Sequence, residues 1–172
     1  MNKFKVITPV NGSVYVECIQ HGPSDIEKTL DLAVKAQREW KNLSVNERIP
    51  FIESFITAFG DLKDKISEEL SWQMGRPISY SPFEVKGTLE RTKGMLNLAE
   101  KSLSDIVPDP VTGFHRYLKR EPLGVIFVIP AWNYPYLIAV NSIVPSLLAG
   151  NAVILRHSAQ TPLVAERFAD AF

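Results

Sequence analysis

Asn133 carries a side chain that could take part in chemistry on a substrate. It lies in the turn that follows the apolar run 123–129. Its side-chain NH₂ group could donate to an oxyanion, the interaction that often dominates acyl-transfer catalysis. A turn asparagine that caps Pro135 and the helix after it fits the same spacing, and spacing alone favours this second role. Both alternatives therefore stay open at this point.

Arg156 is a second candidate, because it ends the apolar run 152–155. There a cation could reach the ribose or a phosphate of a cofactor, and a surface ion pair is an equally good alternative. Trp132 alone is more typical of a core residue than of a site. The chain has no GxGxxG sequence, so this fingerprint of a pyrophosphate-binding turn gives no support to a nucleotide site.

The cysteine and the histidines predict no site. Cys18 is the only cysteine, and the alternating stretch 14–19 that contains it has no histidine to activate its thiol, so we expect a packing residue. The three histidines are too scattered to suggest a metal site, and we expect no metal. They are His21, His115 and His157.

The elements that would position Asn133 and Arg156 form a predicted βαβ unit. The run 123–129 is continuously apolar, as expected of a parallel strand buried on both faces. An apolar helix over 136–149 closes at Gly150, and a second strand follows at 152–156. In such sheets ligands bind outside the carboxyl ends of the strands, which makes 130–135 and 157–162 the informative loops. Thr161-Pro162 predicts the cap of a further helix over 163–172.

The first half of the chain predicts a hairpin and helices. Asn11-Gly12 before the alternating stretch 14–19 indicates a short strand or hairpin. Two capping boxes, Ser24 to Glu27 and Ser44 to Glu47, predict helix starts, although Pro50 implies that the second helix is kinked or begins later. We expect a break near Gly60 and then a helix over 62–74 that ends at Gly75. A further helix is capped by Ser81-Pro82-Phe83-Glu84 and continues to about Ile106. The run 114–119 is β-rich.

Composition and charge narrow the class of protein. The 172 residues include 19 basic and 19 acidic ones, so the net charge is zero and we expect no nucleic-acid partner. The basic N-terminus lacks the apolar segment of a signal peptide. The most apolar region, 123–155, is interrupted by Asn, Pro and Gly, which argues against a membrane helix. With one cysteine, these features predict a soluble protein in the cytoplasm.

Three linked motifs resemble the aldehyde dehydrogenase superfamily in order and spacing. They are Glu121-Pro122-Leu123-Gly124-Val125, then Pro130-Ala131-Trp132-Asn133-Tyr134-Pro135, then Leu148-Ala149-Gly150-Asn151-Ala152-Val153-Ile154-Leu155. Met74-Gly75-Arg76-Pro77, the helix from Glu84, and Gln160-Thr161-Pro162 extend the similarity to nearly the whole chain. The resemblance implies an α/β fold: an N-terminal helical region followed by the start of a parallel Rossmann-like sheet, an incomplete aldehyde dehydrogenase fold.

The resemblance also implies a division of the chain. Residues 1–110 correspond to the N-terminal strand and helices of the cofactor-binding domain, 111–122 to a hairpin or bridging segment, and 123–172 to the first βαβ unit of the dinucleotide-binding sheet, which is truncated. The family is usually dimeric or tetrameric, so we expect a homo-oligomer with the hairpin near His115 to Arg120 at the subunit contact.

The activity that the resemblance implies is oxidation of an aldehyde to an acid with NAD or NADP. A cysteine thiolate attacks the carbonyl, hydride passes to nicotinamide, and a glutamate-activated water hydrolyses the thioester. Asn133 matches the family's oxyanion asparagine, and Ile129, Pro130, Ala131 and Trp132 match the segment that lines the dinucleotide cleft. The cysteine, the glutamate and a glycine-rich turn come later in the family's order. Cys18 cannot replace that cysteine, so we expect the 172-residue chain alone to be inactive.

A departure from the family pattern concerns the cofactor. The family commonly has Lys-Pro-Ser-Glu before Gln-Thr-Pro, and here Arg156, His157, Ser158 and Ala159 occupy those positions. A glutamate would repel a 2′-phosphate, whereas Arg156 and Ser158 beside Ala159 could accept one. We therefore expect that NADP is tolerated or preferred. The alternative to an enzyme portion is a noncatalytic fragment of the same fold that binds a nucleotide or a partner.

The apolar character of the predicted βαβ unit implies that it needs further cover. The helix over 136–149 has almost no polar face, and two parallel strands leave edges open to pairing. We expect the 172 residues alone to be marginally stable and to associate or exchange elements between copies.

Overall fold

The computed structural model describes residues 3–172, which begin with an antiparallel hairpin. Strand β1 (Lys3–Ile7) pairs with β2 (Val14–Ile19), and Gly12 turns between them with φ 77°. The hairpin predicted from Asn11-Gly12 and the alternating stretch is thus confirmed. The ring of Tyr15 on β2 stacks on that of Trp72 with 5.7 Å between centroids, so the hairpin packs on the helical region.

Four helices follow the hairpin. They are α1 (Pro23–Trp40), α2 (Val45–Asp61), α3 (Lys63–Met74) and α4 (Ser81–Leu103). The box at Ser44 forms as predicted, since its hydroxyl accepts from the backbone N–H of Glu47 and the carboxylate of Glu47 accepts from the backbone N–H of Ser44 at 2.7 Å. Helix α2 begins at once after Ser44 and continues past Pro50, so the later start is wrong. Gly60 lies inside α2, and the break comes at Leu62.

Two predicted caps are wrong in detail. The first helix begins at Pro23 with Gly22 as its N-cap, and Asp25 rather than Glu27 accepts from the backbone N–H of Gly22. The proline, whose φ suits the first helical position, starts the helix before Ser24. Helix α4 has Tyr80 as its N-cap, and Ser81 is already helical, so Glu84 does not close a box on its own helix.

The predicted βαβ unit is present, but its first strand is not buried on both faces, because Phe127 is 60% exposed. Strand β3 (Val125–Val128) runs parallel to β4 (Ala152–Leu155), with Val128 opposite Leu155, and α5 (Pro135–Leu148) connects them. Helix α6 (Leu163–Ala171) follows β4. Together with the helices before it, this gives a mixed helix and strand fold with a small parallel sheet. None of the helices within 3–172 is long and apolar enough to cross a bilayer.

The core lies where α5 and α6 pack on α2 and α4. Tyr136 on α5 contacts Phe59 on α2, with ring centroids 5.4 Å apart, and Phe168 on α6, at 5.5 Å. All three rings are at most 3% exposed. Aromatic side chains of this size supply much of the apolar area that a domain of this kind buries. Helix α5 is therefore enclosed by protein on several sides, as its apolar sequence predicts.

The carboxyl end of α5 is held by side chains from the first two helices. Trp40 donates to the backbone oxygen of Leu147 at 2.8 Å, and Arg48 donates to that of Leu148 at 2.7 Å. The cation also complements the negative end of the helix dipole. Gly150 follows with φ 88°, and a Cβ there would lie 2.8 Å from Nη2 of Arg48. Glycine is thus required both by the backbone and by the packed guanidinium.

The segment between α4 and β3 is mostly irregular. The β-rich run 114–119 forms no continuous strand, and the described pairings are single bridges between Ile106 and Leu118 and between Val111 and Phe114. Because Ile106 uses its backbone N–H and C=O on Leu118, α4 stops at Leu103 instead of continuing to Ile106. Phe114 and Leu118 are 73% and 63% exposed, so this part of the segment has little cover from the rest of the described chain.

Candidate functional site

The candidate site lies at the carboxyl edge of the β3–β4 pair. Because the two strands are parallel and Val128 is opposite Leu155, the loops that follow them leave the sheet at the same edge. We call residues 129–134 the Asn133 loop and residues 156–162 the β4–α6 loop. In open parallel sheets this edge is where ligands bind. Seven of the eight candidate residues are at least partly exposed at this edge, and Pro130 is buried; the eight are Ile129, Pro130, Ala131, Trp132, Asn133, Arg156, Ser158 and Ala159.

Asn133 is exposed, and its side-chain amide makes no hydrogen bond to any residue from 3 to 172. The N-cap of α5 is Tyr134, without a side-chain cap bond from within the turn. The structure therefore does not show the capping role that spacing favours for Asn133. An amide with both N–H groups available at a ligand-binding edge is suited to donate to an oxygen of a bound molecule.

Glu84 supplies the acceptor that the N-terminus of α5 needs. Its Oε1 accepts from the backbone N–H of Tyr136 at 2.9 Å and from that of Leu137 at 3.3 Å. The carboxylate is fully buried, and its negative charge faces the positive end of the α5 dipole. Glu84 therefore caps a helix that lies about fifty positions later in the chain.

Arg76 joins Glu84 to the Asn133 loop. Its guanidinium pairs with the Glu84 carboxylate and also donates to the backbone oxygen of Asn133. The guanidinium carbon lies 4.6 Å from the centroid of the Tyr134 ring, a cation–π arrangement. The side chain of Arg76 is 10% exposed, and this burial lowers its pKa from the usual arginine value. Arg76 thus contacts both the backbone of Asn133 and the ring of Tyr134 at the end of the Asn133 loop.

The β4–α6 loop presents Arg156 and Ala159 as exposed residues, with Ser158 partly buried between them. Arg156 makes no salt bridge with a described residue, so the ion-pair alternative has no partner within 3–172. The hydroxyl of Ser158 accepts from the backbone N–H of Gln160 at 3.3 Å. It remains able to donate, since that bond uses only its oxygen.

Gln73 fixes the far end of the β4–α6 loop. Its side-chain oxygen accepts from the backbone N–H of Leu163 at 3.0 Å, and Gln160 donates to its backbone oxygen. Thr161, predicted to cap α6, is buried and its hydroxyl has no partner in the described chain. The N-cap of α6 is Pro162. The predicted cap is therefore wrong, because a side chain from α3 occupies the place that the threonine hydroxyl would take.

Sequence reasoning missed Arg76, Glu84 and Gln73 as parts of the site. Glu84 matches a helix-start pattern, and that local pattern gives no sign of its partners on α5. The sequence does contain one signal, because Glu84, Thr88 and Thr92 form a polar stripe with i, i+4 spacing. The structure shows that all three are buried. A buried carboxylate needs a partner from elsewhere in the fold.

Cys18 lies on β2 in the hairpin and is not one of the residues of the two loops that form the candidate site. Burial raises the pKa of its thiol, and the negative charge of Glu166 raises it further. A thiol whose pKa is raised is mostly protonated near neutral pH and is a poor nucleophile.

Comparison with known proteins identifies the family. The family model described as the aldehyde dehydrogenase family matches residues 1–172. The chain belongs to the aldehyde dehydrogenase family. It is 30% identical over 160 residues to 3,6-anhydro-alpha-L-galactose dehydrogenase of Streptomyces coelicolor, and the match covers 93% of this chain and 32% of that protein. It is 33% identical over 164 residues to the EPTC-inducible aldehyde dehydrogenase of Rhodococcus erythropolis, again covering 93% and 32%.

Solved structures agree with this family assignment. A structure of 3,6-anhydro-L-galactose dehydrogenase in complex with NAP superposes with a TM-score of 0.89 and 26% identity, covering 99% of this chain and 36% of that one. The chain thus corresponds to an N-terminal part of the aldehyde dehydrogenase fold, and it spans about a third of the length of the curated relatives that it matches. The resemblance in the three motifs is confirmed at the level of family and fold.

Proposed function

We propose that this chain is the N-terminal part of an oxidoreductase that oxidises an aldehyde to a carboxylic acid. In the overall reaction aldehyde, water and NAD(P)⁺ give the acid, NAD(P)H and a proton. The family's order places the nucleophilic cysteine and the general-base glutamate C-terminal to the motifs that this chain contains, and Cys18, with its raised pKa, does not replace them. The 172 residues alone are therefore proposed to be inactive, and the complete protein is proposed to be a dimer or tetramer.

The observation that carries this proposal is the position of Asn133. Its amide is exposed at the carboxyl edge of the parallel strands, makes no bond to a described residue, and lies in the motif that carries the family resemblance. An aldehyde carbonyl under nucleophilic attack gains negative charge on oxygen. A preorganised N–H donor stabilises that charge more in the transition state than in the ground state. Asn133 is proposed to be that donor.

The residues at the same edge fit part of a dinucleotide. The cofactor, when bound, supplies the acceptor for the hydride. The segment from Ile129 to Trp132 is proposed to line its cleft, since it leaves β3 at this edge with three of its four residues exposed. Arg156, a cation without a described ionic partner, and Ser158, a hydroxyl that can still donate, are proposed to face the adenosine half.

Arg156 and Ala159 in the β4–α6 loop support acceptance of a 2′-phosphate. Arg156 would give a charge-assisted hydrogen bond, and Ala159 places no negative charge beside it. We therefore propose that NADP is tolerated or preferred over NAD.

The decisive experiment measures aldehyde oxidation by the complete protein that contains this sequence. Acetaldehyde, propanal, hexanal, benzaldehyde and succinate semialdehyde are each tested with NAD and with NADP, and NAD(P)H is followed by absorbance. With the best aldehyde, Asn133→Ala is expected to lower kcat roughly 10²–10³-fold. Asn141→Ala is the matched control, because Asn141 is also exposed but donates within its own helix, to Leu137.

The outcomes separate the alternatives. No turnover with any aldehyde and either cofactor, together with measurable nucleotide binding, would favour the noncatalytic fragment of the same fold. If the complete protein oxidises an aldehyde but Asn133→Ala has the same kcat as Asn141→Ala, the oxyanion role of Asn133 is wrong and the proposed activity stands.

The cofactor preference has its own test. Ala159→Glu is expected to lower kcat/KM for NADP by about tenfold or more and to affect NAD much less, because the new carboxylate repels the 2′-phosphate. Ala169→Glu is the control, since Ala169 is exposed on α6, away from the β4–α6 loop. A wild-type kcat/KM for NAD well above that for NADP would contradict the preference.

A further inference from the structure

We propose that Arg76 and Glu84 are positioning residues for Asn133, and that they hold its backbone where its amide can reach the reacting oxygen. The inference rests on the proposed function, because it assumes that Asn133 is the oxyanion donor. It adds two residues that need not touch substrate or cofactor: Arg76, between α3 and α4, and Glu84, on α4. It predicts that both affect the reaction rate only through Asn133.

Helix α5 is held in place at both of its ends. Glu84 caps its N-terminus through Tyr136 and Leu137. Trp40 and Arg48 hold the carbonyls at its other end. A helix with partners at both ends and an apolar surface in the core has little freedom to shift. The position at which the Asn133 loop joins α5 is therefore set by the helical region.

Arg76 holds the backbone of Asn133 itself. By donating to the backbone oxygen of Asn133, Arg76 holds one of the two peptide planes that flank the Asn133 Cα. The stacked contact with the Tyr134 ring holds the next residue. The remaining freedom of Asn133 is mainly rotation of its own side chain. Its amide can then meet an oxygen without first ordering the loop, which is the advantage of a preorganised donor.

Arg76 and Glu84 depend on each other. The Glu84 carboxylate is fully buried and the Arg76 side chain nearly so, and each is the other's charge partner. Removal of one charge leaves the other buried and uncompensated, so the survivor changes its position or takes up water. A planar guanidinium can bond a carboxylate and a carbonyl at once, whereas a lysine ammonium does not reproduce that fork.

The experiment is a double-mutant cycle in the complete protein. It compares Arg76→Met, Asn133→Ala and the combination, with the single-turnover rate of NAD(P)H formation as the readout at saturating aldehyde and cofactor. Arg76→Met alone is expected to lower the rate about 10–100-fold, because a misplaced catalytic group loses that much. In the Asn133→Ala background the same change is expected to have almost no effect. The control is Arg91→Met, at an exposed position on α4.

Conservative variants keep the test decisive if Arg76→Met does not fold. Arg76→Lys and Glu84→Gln are expected to lower the single-turnover rate about tenfold while the cofactor KM stays within about twofold. Glu90→Gln is the control for the second variant, since Glu90 forms an exposed i, i+4 pair with Lys86. Hydrogen exchange of the Tyr136 and Leu137 amides gives a readout apart from activity, and Glu84→Gln is expected to speed it about tenfold or more.

Each outcome assigns a failure to one idea. If Arg76→Met lowers the rate equally with and without Asn133, Arg76 acts through general stability and the positioning role is overturned. If Asn133→Ala slows the reaction but the folded Arg76→Lys and Glu84→Gln variants do not, only the positioning role fails. If Asn133→Ala itself has no effect, the proposed function of Asn133 fails and the positioning role fails with it.

Discussion

The side-chain oxygen of Gln73 accepts a hydrogen bond from the backbone N–H of Leu163 at 3.0 Å, so a residue at the end of α3 caps α6. Gln73 is fully buried, and its NH₂ group donates to the backbone oxygen of Glu69. Its backbone oxygen also accepts from Gln160. One residue therefore joins the helical region to the loop that carries Arg156, Ser158 and Ala159.

We expect Gln73→Met to destabilise the protein by about 1–3 kcal/mol, because it removes the acceptor of the partly buried N–H of Leu163. For a chain of this size that corresponds to a fall in Tm of roughly 2–4 °C per kcal/mol. Lys65→Met is the control, since Lys65 is exposed on the same helix. Equal Tm values for the two variants, measured by thermal unfolding, would show that the cap contributes nothing.

Replacement of glycine by alanine is expected to have opposite effects on stability at two positions. Gly75 has φ 75°, and a Cβ there would lie 2.9 Å from Cγ of Pro9. Gly75→Ala is therefore expected to destabilise by about 1–2 kcal/mol or more. Gly94 lies within α4 with no atom within 4 Å of such a Cβ, so Gly94→Ala is expected to stabilise by about 0.5–1 kcal/mol. Denaturant unfolding of both variants tests the pair, and effects of the same sign would contradict it.

Acid weakens the start of α2 through Glu47. Hydrogen bonds from the backbone and hydroxyl of Ser44 lower the pKa of the Glu47 carboxyl below its ordinary value. A group whose folded pKa is lowered stabilises the fold above its unfolded pKa, and this contribution is lost as pH falls through the folded pKa. The Tm advantage of the wild type over Glu47→Gln is thus expected at pH 7 and should shrink as pH falls below 4.5, the ordinary pKa of this carboxyl. A Tm gap for Glu47→Gln that stays constant with pH would count against the assignment.

The sequence predicts elements that depend on local pattern. Alternation gives the hairpin, the Ser44 box starts α2, Gly75 ends α3, and the two apolar runs give the parallel strands. In each case the residues that decide the element lie within one or two turns of it.

The roles of Glu84 and Thr161 could not be predicted in this way. Glu84 fits a local cap, yet its partners lie on α5, about fifty positions later. Thr161 fits a cap as well, but Gln73 reaches the helix from ninety positions earlier. Tertiary packing brings a stronger or better placed acceptor to each helix, and a local pattern contains no information on it. The same limit hides Arg76, whose bond to Asn133 exists only when the connection between α3 and α4 lies against the Asn133 loop.

The surface of the β3–β4 pair predicts self-association of the 172 residues when they are expressed alone. Leu123 and Phe127 are 89% and 60% exposed beside a sheet that has two strands in the described chain. Unpaired edges and apolar side chains of this kind favour pairing with another copy. Light scattering after size exclusion is expected to show species larger than a monomer, increasing with concentration. Phe127→Lys is expected to reduce them, because a charge on the strand opposes edge pairing. Phe83→Lys changes an equally exposed ring on α4 and should have little effect, so a monomeric wild type, or equal effects of the two lysines, would contradict association through the sheet.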